Sequence, residues 1–226
     1  MNRREFMEAG AVMAATAVLA GSVMAPGVAQ ATTPAKDTAL PKPATSGGMT
    51  LTQALMERRS TRAFSPKPLS QQVLSDLLWA AWGVNRDDVT GKRTAPSWKN
   101  RQETTVYAAL KEGLYRYEAK GHSLAQVSAK DLRPMCGKQD FVATAPLNLV
   151  YVVDFSKMAD ITPEERLLYG GADSGSIYQN VYLTCAAQGL VTVIRANIDK
   201  PALAKEMGLG ADHLITLSQT VGYPKA

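Results

Sequence analysis

Arg58, Ser60 and Arg62 stand at alternate positions in the run Arg58-Arg59-Ser60-Thr61-Arg62-Ala63-Phe64. In an extended chain alternate side chains share a face, so two guanidiniums and a hydroxyl would point the same way. Such a set suits a dianionic phosphate, held by bidentate and charge-assisted hydrogen bonds. It suits equally a solvated basic helix end, where the helix dipole favours arginine. Spacing alone leaves both readings open. A second cluster runs from Arg93 to Gln102 (RTAPSWKNRQ) and gathers Ser97, Asn100 and Gln102 in one polar loop. Hydroxyls and amides two or three residues apart can hydrogen-bond a polyhydroxyl chain or the edge of a planar heterocycle. No metal site is expected. One structural zinc would use both cysteines and both histidines of the chain.

The elements that must position these groups follow from periodicity. Leu51, Leu55 and Met56 predict a helix over 50–58 with Thr50 as its cap. Ser70 caps a second helix, with Val73, Leu74, Leu77, Leu78 and Ala81 on one face and Gly83 at its end. Residues 85–103 read as a loop, and 106–110 with 113–117 as a hairpin. Residues 122–141 read as irregular helix. The β-branched run Leu147–Val153 is the strongest strand, with both faces expected to be buried. A long helix is predicted from Asp173, taken as its cap, to Leu190, with Tyr169-Gly170-Gly171 as the preceding turn. Strands at 191–195 and 214–221 flank a short helix at 201–207. Helices and strands mix without regular βαβ alternation, so the class is α+β.

The first 31 residues read as an export signal. Arg3-Arg4 precedes Phe6, residues 10–25 are small and apolar, and Ala29-Gln30-Ala31 offers a cleavage site. The arginine pair marks the twin-arginine route to the periplasm, an address rather than a stable membrane anchor. Residues 32–48 read as a flexible linker, leaving one domain over 49–226. With 46% hydrophobic and 20% charged residues the composition is globular, which argues against disorder, collagen and coiled coil. A net charge of +5 comes without a concentrated basic stripe or aromatic platform, so no nucleic-acid partner is expected.

Taken in order, RRSTRAF, the helix over 70–83, PSWKNRQ, DSGSIYQNVYLTCAAQGL and the closing VGYP resemble the FMN-dependent nitroreductase family across nearly all of residues 49–224. The resemblance implies a mostly antiparallel sheet flanked by helices, in a homodimer with FMN at the interface. It implies that Arg58, Ser60 and Arg62, with Arg59 nearby, hold the phosphate and ribityl chain. By the same resemblance Pro96, Ser97, Trp98, Asn100 and Gln102 reach the flavin across the dimer, and Arg195, Ala196 and Asn197 place a backbone N–H beside flavin N5. Ala196-Asn197 departs from the family's usual Glu-Gly or Gly, and Lys225 alone is left to act for the family's basic C-terminal arm. The implied chemistry is ping-pong hydride transfer through N5, to or from a small aromatic, nitro or quinone-like substrate, with no catalytic side chain. The implied donor is NAD(P)H or, outside the cytoplasm, another one. An exported flavin electron carrier without NAD(P)H turnover is the alternative.

The remaining candidates have plainer readings. Cys185 reads as a buried free thiol rather than a partner of Cys136. His122 and His213 read as surface histidines, and Trp79 and Trp82 as core or interface. Trp98 either lines the substrate slot or packs within its loop.

Overall fold

A computed structural model describes residues 37–86 and 90–225; the export signal read over residues 1–31 lies outside the described residues. Among the described residues seven strands form one sheet. They are β1 (Thr38–Ala39), β2 (Thr104–Leu110), β3 (Gly113–Glu118), β4 (Ser123–Ser128), β5 (Leu147–Asp154), β6 (Val191–Arg195) and β7 (His213–Gly222). Their order is β1-β4-β3-β2-β5-β7-β6, and each neighbouring pair is antiparallel. Among the same described residues five α-helices accompany them: α1 (Leu51–Glu57), α2 (Gln71–Trp82), α3 (Phe141–Thr144), α4 (Pro163–Ala187) and α5 (Lys200–Glu206). Among the described residues no helix is long and apolar enough to cross a membrane.

The central strand shows why the sheet carries helices on both sides. Leu147, Leu149 and Tyr151 of β5 pack with Leu74, Leu77 and Leu78 of α2 and Ile177 and Val181 of α4. The alternate residues Val150 and Val152 pack with Leu203 of α5, Met207 and Val142. Side chains of period two thus feed two separate cores. An unbroken apolar strand follows even in an antiparallel sheet, because neither face meets water.

Four expectations are corrected. The long helix begins at Pro163, ten residues before the predicted start, because Thr162 and Glu165 form a reciprocal capping box and Pro163 fits the first turn. Tyr169, Gly170, Gly171 and Asp173 are therefore helix interior, and Asp173 caps nothing. Residues 123–128, read as irregular helix, form β4 because the edge of β3 offers a ladder that their weak propensity does not oppose. The expected linker is also packed over part of its length. Thr38 pairs with Leu124, Ala44 N–H donates to Asp76 Oδ1 (2.8 Å), and Gln72 Nε2 donates to Lys42 O (2.9 Å). His122 is part of the same clasp rather than a free surface group. Its Nε2 lies 3.0 Å from Pro41 O and its Nδ1 2.9 Å from Tyr117 Oη.

Removing the cap hydroxyl with Thr162→Ala is expected to cost about 1 kcal/mol, read as a lower urea midpoint at unchanged m-value.

Candidate functional site

The basic run leaves α1 at Arg58 and continues along the outer edge of β6. Ser60 bridges Thr192 in parallel register, and Thr61 N–H donates to Thr192 O (3.0 Å). Farther on, Phe64 bridges Pro224, Ser65 N–H donates to Tyr223 O (2.9 Å), and Lys225 N–H donates to Ala63 O (3.4 Å). Phe64 is the apolar peg of this segment, buried with Ala145 and Val193 beside the Phe141 ring. The run is thus extended, the condition under which Arg58, Ser60 and Arg62 share a face, and the main chain of Lys225 is drawn up beside Arg62.

Tyr182, on α4, is the post on which the run leans. Ser60 Oγ lies 2.8 Å from Tyr182 Oη, Ile194 N–H donates to the same oxygen (3.0 Å), and the Arg58 guanidinium sits 5.3 Å over the ring. With Ile194 N–H on one lone pair, the Tyr182 hydroxyl can donate to Ser60, which leaves the Ser60 proton for an outside acceptor. Arg62 is exposed, and among the described residues no carboxylate pairs with Arg58, Arg62 or Lys225. Arg59 differs, since its guanidinium is tied to Glu57 at 2.9 Å on an exposed surface. Sequence reading missed Tyr182. Its signal was a tyrosine one turn after Tyr178, facing the strand that the long helix precedes.

The second cluster is a closed loop braced on the other half of α4. Trp98 N–H donates to Asp173 Oδ2 (2.7 Å), and Gln102 N–H donates to Ser97 Oγ (3.0 Å). The Gln102 amide accepts from Arg93 Nε (2.8 Å) and donates to Asn100 Oδ1 (3.1 Å). Lys99, Asn100 and Gln102 all have positive φ, a conformation disfavoured for residues with a side chain, so the loop's shape rests on these bonds. Trp98 stacks on Tyr169 (centroids 4.6 Å apart, 9° between planes), with Lys99 Nζ and the Arg101 guanidinium over its ring. Its role within the loop is therefore packing. Pro96 is exposed.

At the loop's root lies Glu103, fully buried, with Oε1 accepting from Thr104 Oγ1 (3.3 Å). Burial, with the Asp173 carboxyl beside it, pushes Glu103 up to about 7. Sequence reading passed over it, because a single Glu at a strand start carries no burial signal.

The structure does not bring the two clusters together within one chain. Asp173 and Tyr182 are nine residues apart, about two and a half helical turns and about 13 Å along the axis, so they leave α4 on opposite sides. The third predicted group divides. Ala196 and Asn197 are exposed, their carbonyls accepting from Ile198 N–H (2.9 Å) and Lys138 N–H (3.2 Å). The Arg195 side chain is buried instead and donates to Cys136 O (2.8 Å) and Asn148 Oδ1 (2.9 Å). Burial lowers its pKa to about 10. Gly137 leaves room for this guanidinium, since a Cβ there would collide with Arg195 Nη1. Cys136 and Cys185 are buried free thiols, and burial raises the pKa of both. Among the described residues no cluster of three or more His, Cys, Asp or Glu could hold a metal ion.

An antiparallel seven-stranded sheet with helices on both faces, edged by the extended basic run, is the nitroreductase-like fold. The model of the nitroreductase family matches residues 55–223, and the chain belongs to that family. A solved nitroreductase homologue from Ralstonia eutropha is 42% identical, with a TM-score of 0.80 over 85% of this chain and 94% of that one. A nitroreductase homologue of Methanocaldococcus jannaschii is 30% identical over 63% of this chain and 76% of its own length. The NADPH:FMN oxidoreductase of Vibrio harveyi, solved with NAD+, shares the fold with a TM-score of 0.56 at 20% identity, over 78% of this chain and 69% of that one. Family membership implies a flavin-dependent oxidoreductase.

Glu103 makes stability depend on pH. Its pKa is raised in the folded state, so between about pH 4.5 and 7 the folded chain binds more protons than the unfolded one. Stability therefore falls as pH rises through that window, by up to about 1.4 kcal/mol per pH unit from this group, and the contribution levels off above it. Glu103→Gln should remove this slope, measured as urea midpoints at half-unit pH steps.

Proposed function

We propose that the protein is an FMN-dependent oxidoreductase acting as a homodimer on a small aromatic, nitro or quinone-like substrate, with NAD(P)H or another donor supplying electrons. The observation that carries it is the convergence of Arg58, Ser60, Arg62 and Lys225 along the edge of β6 and the end of β7, with no carboxylate among the described residues paired with the three cations. That donor set fits the phosphate of FMN. Bound FMN would supply the two-electron redox chemistry that no side chain of this chain can.

The chain's own residues then have defined tasks. Arg58 and Arg62, with Lys225 nearby, offset the phosphate charge, while Ser60, oriented by Tyr182, gives it a directed hydroxyl. The rigid Pro96–Gln102 loop, braced on the far side of α4, serves the second subunit's site and not its own. The exposed Ala196-Asn197 segment offers main-chain N–H groups at the end of β6. Exposed Leu51, Leu55 and Met56 of α1, with Leu167 and Leu168 of α4, supply apolar surface for the dimer contact. Arg3-Arg4 and the apolar run after it support a periplasmic location reached by the twin-arginine route.

The test compares FMN with riboflavin, which lacks the phosphate. The wild-type protein should bind FMN far more tightly. Arg58→Ala or Arg62→Ala should each weaken FMN roughly tenfold or more, for the loss of a charge-assisted hydrogen bond, while leaving riboflavin unchanged. Equal affinity for both ligands would remove the phosphate site. The Ala196-Asn197 departure favours a second reading, an exported electron carrier; a bound flavin that bleaches with dithionite but never with NADH or NADPH would select it.

A further inference from the structure

The loop that the proposed function assigns to the flavin is held down by two carboxyls with no cation between them. Glu103 is fully buried, and among the described residues no donor reaches its Oε2. Asp173, 8% exposed, lies on α4 within side-chain hydrogen-bonding reach of Glu103 and spends Oδ2 on Trp98 N–H. The cations nearby spend their terminal nitrogens on other acceptors, although the buried Nε of Arg101 meets no acceptor among the described residues and its charge is felt at Glu103. Arg101 binds Asp160 and Lys157 O, and Lys157 Nζ donates to Gln102 O (2.9 Å). Asp154 contributes its N–H to Glu103 O (3.0 Å), not a charge-neutralising group. Two ionised carboxylates in such a place repel each other, whereas one shared proton turns them into a hydrogen-bonded pair. Glu103 immediately precedes β2 and Asp173 belongs to α4, so the pair ties the root of the loop to the helix that also holds Trp98.

We infer that Glu103 and Asp173 share a proton and thereby act as positioning residues, fixing the Pro96–Gln102 loop for the cofactor. The cofactor half of this inference rests on the flavin reading above. Neither residue is catalytic. Their action passes through Trp98 and through the strained residues Lys99, Asn100 and Gln102, whose backbone shape persists only while both ends of the loop are held.

Amide hydrogen exchange of residues 96–102, read in the full-length protein from pH 5 to pH 8 and corrected for intrinsic rates, tests the clasp. Protection of Trp98 and Gln102 should fall with rising pH, by at most roughly tenfold per pH unit, and level off near neutrality. In Glu103→Gln, whose amide can donate to Asp173 without titrating, protection should stay high and flat. In Glu103→Ala it should be low at every pH. A wild-type profile that does not change with pH overturns the inference even if neither variant folds, and so does a Glu103→Gln profile that follows the wild type. The cofactor half is read from FMN affinity over the same range, taken as the ratio of wild type to Glu103→Gln so that the phosphate's own ionisation cancels. A ratio that changes with pH supports it, and a constant ratio beside a titrating loop overturns it. If no form binds FMN, the flavin reading fails, while the exchange profile still decides the clasp.

Discussion

Helix α4 sets the geometry on which the rest of the molecule depends. Asp173 and Tyr182 leave its opposite sides about 13 Å apart along the axis, and each organises a separate polar cluster. Tyr182 takes the Ile194 N–H, orients Ser60 and lies under Arg58, so the basic run is fixed to the edge of β6. Asp173 takes the Trp98 N–H and so fixes the polar loop on the other side. A rigid helix cannot bend these two posts together. In the proposed reading a second copy of the chain supplies what one copy keeps apart.

The electrostatics of the molecule divide along the same line. Arg58, Arg62 and Lys225 have no carboxylate partner among the described residues, so an anionic ligand gains from them, whereas Arg59 is paired with Glu57. Arg195 is handled in the opposite way. It is buried among carbonyl and amide oxygens, with Ser218 and Thr220 hydroxyls on the same acceptors Cys136 O and Asn148 Oδ1 (2.6 Å each). Such a charge is costly to bury, and the bonds made by Nη1 and Nη2, though Nε has no partner among the described residues, tie down the corner beneath Ala196-Asn197. Glu103 is the corresponding buried acid, whose pKa burial raises to about 7.

Much of this could be read from residue order. Leu147–Val153 implied a strand buried on both faces, and it is found; Arg58, Ser60 and Arg62 were placed on one face on condition that their run is extended, and the run is extended. The failures have physical causes. The Thr162–Glu165 capping box was overlooked because Gly170 and Gly171 looked like a turn, although inside a long packed helix their low propensity is outweighed. Strand β4 has little intrinsic preference for its conformation and is made by the exposed edge of β3. Residues 38–45 pack only through partners such as Asp76 and His122, far away in sequence. Tyr182 and Glu103 depend wholly on tertiary placement, so no local pattern pointed to either. Arg195 was assigned to the flavin edge by position in the chain, and position does not say which way a side chain turns.

The account's central claim is that each cofactor site is built from the basic run of one chain and the polar loop of another. The most direct test is a heterodimer purified through two different tags, one chain carrying Arg58→Ala and Arg62→Ala and the other carrying Asn100→Ala and Gln102→Ala. The account predicts that each homodimer binds FMN poorly, while the heterodimer regains one tight site per dimer, the one in which the intact run meets the intact loop. A heterodimer that binds no better than either parent would contradict it.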